Sequence, residues 1–274
     1  MDSFHCSAAE ALQVGFRRSD AILFRMAIRV PYLLSIKVLP ERLPPELTYP
    51  FNLPFVPGLD LTIREPVVFF VGENGTGKST LIEAIAELCR LPVSGGGRNE
   101  LANATGPERE SQLAKVLRPS FRKQPRDGYF LRAEFQAHFA SLLDDRKRDP
   151  DFTGDPYERY GGRSLHTRSH GEAFLAVLQN RVNSGLFLLD EPEAALSPHR
   201  QLALLALIHN LVESGKSQFL IATHSPILMT YPGAQIISFD KGPLGPTTLE
   251  ETSHYLITKG ILESPARYWK HLKD

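Results

Sequence analysis

With 274 residues, 42% hydrophobic and 23% charged, the chain has the composition of a globular protein large enough for one sizeable α/β domain or two modest ones. Its 31 basic and 31 acidic side chains cancel, which excludes a global field drawing it to nucleic acid or to an anionic membrane. Two cysteines, Cys6 and Cys89, imply a reducing compartment, and the longest apolar run, Leu202 to Ile208, falls far short of a membrane span, so a soluble cytoplasmic protein with no transmembrane segment is expected.

Residues 1–26 show no clean period, and Asp2, Glu10, Arg17, Arg18 and Asp20 break up any secretory apolar core. They are expected to be an N-terminal extension, with a single domain over 27–274. Tyr32 to Leu39 alternate as a strand, the proline-rich stretch from Pro40 to Pro57 excludes helix or central strand, and Leu59 to Ile63 read as a second strand. Tyr49 and Phe51 lie where an aromatic could stack on adenine; an exposed loop or core aromatic is the commoner role for either.

Five β-formers, Val67 to Val71, lead into Gly72, Glu73, Asn74, Gly75, Thr76, Gly77, Lys78, Ser79 and Thr80, and then into an amphipathic stretch from Leu81 to Leu88. Strand, glycine-rich turn and helix in that order make a phosphate-binding loop. The glycines free the backbone to turn successive N–H groups onto one anion, and the helix starting near Lys78 adds its positive dipole end. Lys78 is then placed for β- and γ-phosphates, Ser79 for Mg²⁺, and Thr80 near the α-phosphate.

Ser94 to Asn99 predict a flexible hinge. Residues 101–127 mix helix-permissive and basic residues, and with Arg146, Lys147 and Arg148 they offer either a phosphate-tracking patch for nucleic acid or, by default, a solvated face. Tyr129 to Arg132 predict a strand, Phe135 to Leu143 a helix, and 149–162 a loop. A further helix runs from Gly171 to Val182. Ahead of it, Ser169, His170, Gly171 and Glu172 form a capping box, and the same helix start offers free amides to an anion, such as the γ-phosphate of a second nucleotide.

Leu186 to Leu189 read as a buried parallel strand ending in Asp190 and Glu191, which puts two carboxylates at the sheet edge where ligands bind. Asp190 suits a water-mediated Mg²⁺ contact and Glu191 a general base for attacking water; an acid pair that merely ends a strand is the alternative. Ser197 and Pro198 start a long helix to about Glu213. Phe219 to Ala222 predict another buried strand, and His224 at its end is placed to sense a γ-phosphate. Ala234 to Asp240 and Thr247 to Glu251 predict strands, and Leu262 to Leu272 a short amphipathic helix.

The ordered set resembles the ATP-binding cassette (ABC) superfamily of P-loop ATPases: Walker A at Gly72 to Ser79, signature at Ser169 to Glu172, Walker B at Leu186 to Asp190, catalytic Glu191, D-loop at Ala194 to Ser197 and switch His224. More narrowly it resembles stand-alone bacterial predicted ATPases of the AAA_21-like group, through Tyr49 to Pro54, Ser169 to Glu172, Leu189 to Pro198 and Ala222 to Pro226. The resemblance implies an α/β fold of ABC-ATPase type, with a mainly parallel core sheet flanked by helices, an N-terminal antiparallel β element and a small helical lobe over about 95–180. It also implies Mg²⁺ and ATP, hydrolysis to ADP and phosphate, and an ATP-dependent homodimer in which the signature acts in trans and drives an unknown protein partner.

Departures are evident. The signature is not the transporter L-S-G-G-Q, the D-loop ends in Ser197 rather than Asp, and the Q-loop position falls to Glu134 or Gln136. The interval from Glu134 to Ser169 has no room for a coiled coil and no cysteine for a zinc hook. Two alternative roles follow from the resemblance: energy-coupling subunit of a membrane transporter, or ATP-dependent DNA-associated switch in repair or phage defence. A small-molecule P-loop kinase finds no support, since Glu191 and His224 suit attack by water.

Overall fold

The computed structural model describes residues 31–97, 110–132, 136–160, 162–167, 169–181, 184–240 and 242–271. The expected N-terminal extension and Glu134 lie outside them. In chain order the strands are β1 (Leu33–Val38), β2 (Asp60–Thr62), β3 (Val67–Val71), β4 (Gly96–Gly97), β5 (Leu117–Phe121), β6 (Gly128–Arg132), β7 (Gly185–Asp190), β8 (Ser217–Ala222), β9 (Gln235–Ser238) and β10 (Gly245–Thr247). The helices are α1 (Lys78–Leu88), α2 (Gln136–Arg148), α3 (His170–Arg181), α4 (Pro198–Glu213), α5 (Ser253–Glu263) and α6 (Pro265–His271).

β3, β7 and β8 are buried at every position. Their alternation divides them between two cores. Val68, Phe70, Leu186, Leu188, Leu220 and Ala222 face α1 and the first two strands, while Val67, Phe69, Val71, Phe187, Leu189, Phe219 and Ile221 face α3 and α4. Each large side chain so buried contributes about 1.5–3 kcal/mol. A sheet covered on both faces is what parallel strands with crossover helices require. β9, β3, β8, β7 and β6 lie side by side in that order, all parallel, with antiparallel β10 and β4 at the two edges.

A second sheet, β2-β1-β5, is antiparallel, as expected for the N-terminal element. Its third strand, β5, was not evident in the sequence: Leu117 to Phe121 carry a proline and two polar residues, and only Leu117 is fully buried. The predicted hinge differs too, because Gly96 and Gly97 pair with Phe130 and Tyr129 as an edge strand. Of the segment Thr247 to Glu251, Thr247 alone ends a strand; Thr248 and Glu251 form a capping box around a single 3-10 turn. The predicted helix from Leu262 to Leu272 is α6 over Pro265–His271; Leu262 and Glu263 instead end α5, a helix the sequence did not point to, and Pro265 opens the second helix after Ser264. Among the described residues, no helix is long and apolar enough to cross a membrane.

Two side-chain amides cross between the sheets: Gln235 on β9, half-buried, donates to the Thr62 carbonyl of β2 at 2.8 Å, and Gln218 is the buried one. Gln218 on β8 accepts from the N–H groups of Tyr32 and Leu33 at 2.9 Å each and donates to the Leu33 carbonyl at 3.0 Å, with its side chain fully enclosed. Gln218→Leu keeps the volume and strands all three main-chain groups, each costing about 1–3 kcal/mol, while the buried leucine side chain regains about 1.5–3 kcal/mol. The expected loss of unfolding free energy is about 2–5 kcal/mol in urea titration; a loss within 0.5 kcal/mol, about the scatter of ordinary surface substitutions, would show that the amide does not tie the sheets.

Candidate functional site

The loop after β3 is shaped by its glycines. Gly72 and Gly77 have φ of 149° and 94°, and a Cβ on Gly77 would stand 2.8 Å from the Phe55 ring and 2.9 Å from Leu53. Only glycine combines that backbone with that clearance. Thr76 closes the turn, its hydroxyl donating to the Glu73 carbonyl at 2.8 Å, and the Glu73 N–H donates to Asp240 at 2.7 Å. Lys78, 4% exposed, folds back so that Nζ donates to the Gly72 and Glu73 carbonyls at 2.7 and 2.9 Å. Burial pushes its pKa below the ordinary lysine value, opposed by the charges of Glu191, Asp240, Asp190 and Glu193.

Asn74, Gly75, Gly77, Lys78, Ser79 and Thr80 line one cleft together with Tyr49, Leu53 and Glu191. The sequence left Tyr49 open between three roles. Its ring is 68% exposed at the cleft, with Oη 2.9 Å from the Thr80 hydroxyl, so the core role falls away; Phe51 instead packs, partly buried, against the core.

Ser79 and Asp190, far apart in sequence, meet as expected: the hydroxyl donates to Asp190 Oδ1 at 3.0 Å. Arg132, at the end of β6, was not foreseen. Its Nε is 3.4 Å from Asp190 Oδ2 and its other end pairs with Glu83 at 2.6 Å. Burial nonetheless raises the Asp190 pKa from 3.8 to about 6, with Arg132 and Ser79 opposing. Hydroxyl and carboxylate oxygens are the hard donors that Mg²⁺ takes, and the pair lies beside the loop whose amides and ammonium suit phosphate, so these residues fit a Mg²⁺-nucleotide.

Glu191 sits in the left-handed region, φ 48° and ψ 54°, which costs a non-glycine residue on the order of 1–3 kcal/mol. Its N–H donates to the Ala222 carbonyl at 3.0 Å, and this bend carries the carboxylate into the cleft. His224 Nε2 stands 3.4 Å from Glu191 Oε1 and its Nδ1 2.8 Å from His254 Nε2. Glu193 is an unforeseen acid: it accepts from the His224 N–H and is half-buried, and that burial raises its pKa. Ser225 donates to Gln201 of α4, tying the segment after β8 to that helix.

The signature residues lie apart from this cleft. Ser169 and Glu172 form the predicted capping box, Ser169 N–H to Glu172 Oε2 at 3.0 Å and Glu172 N–H to Ser169 Oγ at 3.4 Å. Arg200 of α4 clasps both, at 2.6 and 2.9 Å. A Cβ on Gly171 would run into Arg200 and the Ala195 carbonyl. His170 is the first residue of α3, and Gln136 the first of α2. Ser197 is the N-cap of α4 and Pro198 its first residue, as expected.

Comparison with known proteins is consistent with this arrangement. The family model described as "AAA domain, putative AbiEii toxin, Type IV TA system" matches residues 172–230, which hold Asp190, Glu191 and His224. Translation initiation factor RLI1 of Saccharomyces cerevisiae is 25% identical over 75% of the chain, and Protein Pixie of Drosophila melanogaster 25% over 73%. The family model and these relatives support a P-loop ATPase of the ABC superfamily. It spans about a third of those two relatives, 31% and 32% of their lengths. Among solved structures, an ATP-binding cassette of an ABC transporter is 15% identical, with a TM-score of 0.48, over 85% of this chain and 98% of its own.

Asp190 gives the site a pH signature. The folded carboxyl, at about 6, lies above its ordinary 3.8, so the native state holds a proton that the unfolded chain releases. Stability therefore falls as pH rises from about 4 through 6 and stays lowered above that. In Mg²⁺-free buffer Asp190→Asn is expected to raise unfolding free energy at pH 8 by up to about 3 kcal/mol, the gain vanishing near pH 4. Thermal melts across pH check it; equal stability at pH 8 would refute the burial penalty.

Proposed function

We propose that this ABC-type protein hydrolyses Mg²⁺-ATP and works as a dimer around two nucleotides. The reading is carried by one observation: Lys78, Ser79, Asp190, Glu191 and His224, drawn from the ends of three adjacent parallel strands, converge on one cleft edge. Lys78 would exchange its bonds to the loop carbonyls for β- and γ-phosphate oxygens. Ser79 would hold Mg²⁺ directly and Asp190 through water, with Glu73, Asn74, Gly75, Thr76, Gly77 and Thr80 cradling the phosphates and Tyr49 beside the base. When bound, Mg²⁺ supplies charge neutralisation of the phosphate oxygens. Glu191 orients and deprotonates the attacking water, and His224 aims its Nε2 at the same place.

Ser169, His170, Gly171 and Glu172 lie away from this chain's own cleft, which supports their acting on the nucleotide of a second copy, and the opening of that pair after hydrolysis is the mechanical output. The relatives named translation initiation factors support a macromolecular assembly as the partner in preference to a transport channel. An energy-coupling transporter subunit and a DNA-associated switch remain the rival roles. A pull-down with the hydrolysis-deficient protein separates the three, through recovery of an assembly, a membrane protein or DNA.

Glu191→Gln is expected to lower the hydrolysis rate by about 10²–10⁴ while leaving ATP binding intact. With Mg²⁺-ATP it should elute as a dimer on size exclusion where wild type returns to monomer. Near-normal turnover in this variant removes Glu191 as the base. Ser169→Arg puts a second guanidinium where Arg200 already sits and should abolish hydrolysis while ATP still binds in calorimetry; normal hydrolysis refutes a signature acting in trans.

A further inference from the structure

His254 opens α5, far along the chain from every motif, yet its Nε2 lies 2.8 Å from His224 Nδ1, with ring centroids 4.8 Å apart. The contact is a hydrogen bond between two rings, so one ring donates and the other accepts. Two observations decide which. His224 Nε2 is buried and faces the Glu191 carboxylate at 3.4 Å, and a carboxylate accepts only. His254 Nδ1 is buried without a partner among the described residues.

Were His224 to donate from Nδ1, its bare Nε2 would oppose a carboxylate lone pair to lone pair, and the His254 proton would sit on Nδ1 as an orphaned donor. Donation from His254 Nε2 removes both penalties: His224 then carries its proton on Nε2, and the unpartnered His254 nitrogen is a bare acceptor. We infer that His254 is a positioning residue that locks His224 in the Nε2–H tautomer, so that the ring presents a donor to the cleft beside Glu191.

A neutral His224 is consistent with its pKa, which burial and then the Lys78 ammonium hold below the ordinary imidazole value. A second contact fixes the same helix end to the phosphate loop: Ser253 Oγ donates to Glu73 Oε1 at 3.1 Å. None of the α5 side chains is fully buried, so these polar contacts at its first turn set its place against the site. The purpose of the tautomer rests on the hydrolytic reading of Glu191 and His224; the tautomer itself does not.

The test is nitrogen-15 NMR of histidine-labelled, nucleotide-free protein, with His224 signals assigned by their loss in His224→Gln. Wild type should show His224 with a bare Nδ1 and a protonated Nε2. His254→Phe keeps a ring and removes the donor, and should shift His224 toward a tautomer mixture; His254→Gln, whose amide nitrogen replaces Nε2, should restore the wild-type pattern. In parallel, kcat should fall about 10- to 100-fold in His254→Phe with KM little changed, and recover in His254→Gln. His254→Ala serves if the Phe protein does not fold. A wild-type proton on Nδ1, or a His224 spectrum unchanged in folded His254→Phe or His254→Ala, overturns the inference. Absence of hydrolysis by wild type would overturn the functional reading and leave the tautomer result standing.

Discussion

Three neighbouring strands with both faces covered govern the rest of the molecule. Along β3, β8 and β7 there is no solvent-facing side, so water-seeking side chains are excluded from most of their length and collect where the strands end. Because the strands are parallel, those ends coincide. Lys78 follows β3, Asp190 with Glu191 closes β7, and His224 follows β8, and the register between them brings residues more than a hundred positions apart to within hydrogen-bond range. The apolar pattern that builds the core thus also assembles the chemistry.

The polar cluster so formed is balanced by charge rather than by solvent. One enclosed ammonium, Lys78, is surrounded by Glu191, Asp240, Asp190 and Glu193, and Arg132 offsets Asp190 from the far side. Burial works against the charged form at Lys78, at Asp190 and at Glu193 alike. Removing any single member therefore leaves another charge less compensated, and the cluster behaves as a unit.

Most of this is legible in the amino-acid sequence. A glycine-rich turn between a β run and an amphipathic run, and acids closing an apolar run, are local signals, and Lys78, Ser79, Asp190, Glu191 and His224 fall where they point. The residues that escaped are partners by tertiary contact. Arg132, Glu193, Asp240 and His254 carry no motif of their own, and each is known only by what the fold sets against it. Strand β5 escaped for a related reason: an edge strand with two polar residues and a proline lacks the alternation that buried strands must have, and its pairing with β1 supplies what its composition does not. The glycine pair in β4 read as a hinge because glycine permits a turn, yet pairing with β6 makes it a strand.

The Arg200 clasp has a mechanical consequence. Arg200 lies in the first turn of α4, and the chain between Glu191 and that turn is one 3-10 helix, Pro192–Ala195, followed by the extended residues Leu196 and Ser197. By gripping Ser169 and Glu172, its guanidinium couples the tip of α3 to the foot of α4, so the two helices are geared at their ends. A displacement of the α3 tip would reach, through that one side chain, the segment that follows Glu191. The α3 tip and the left-handed Glu191 are therefore separated by one side chain and one short stretch of backbone.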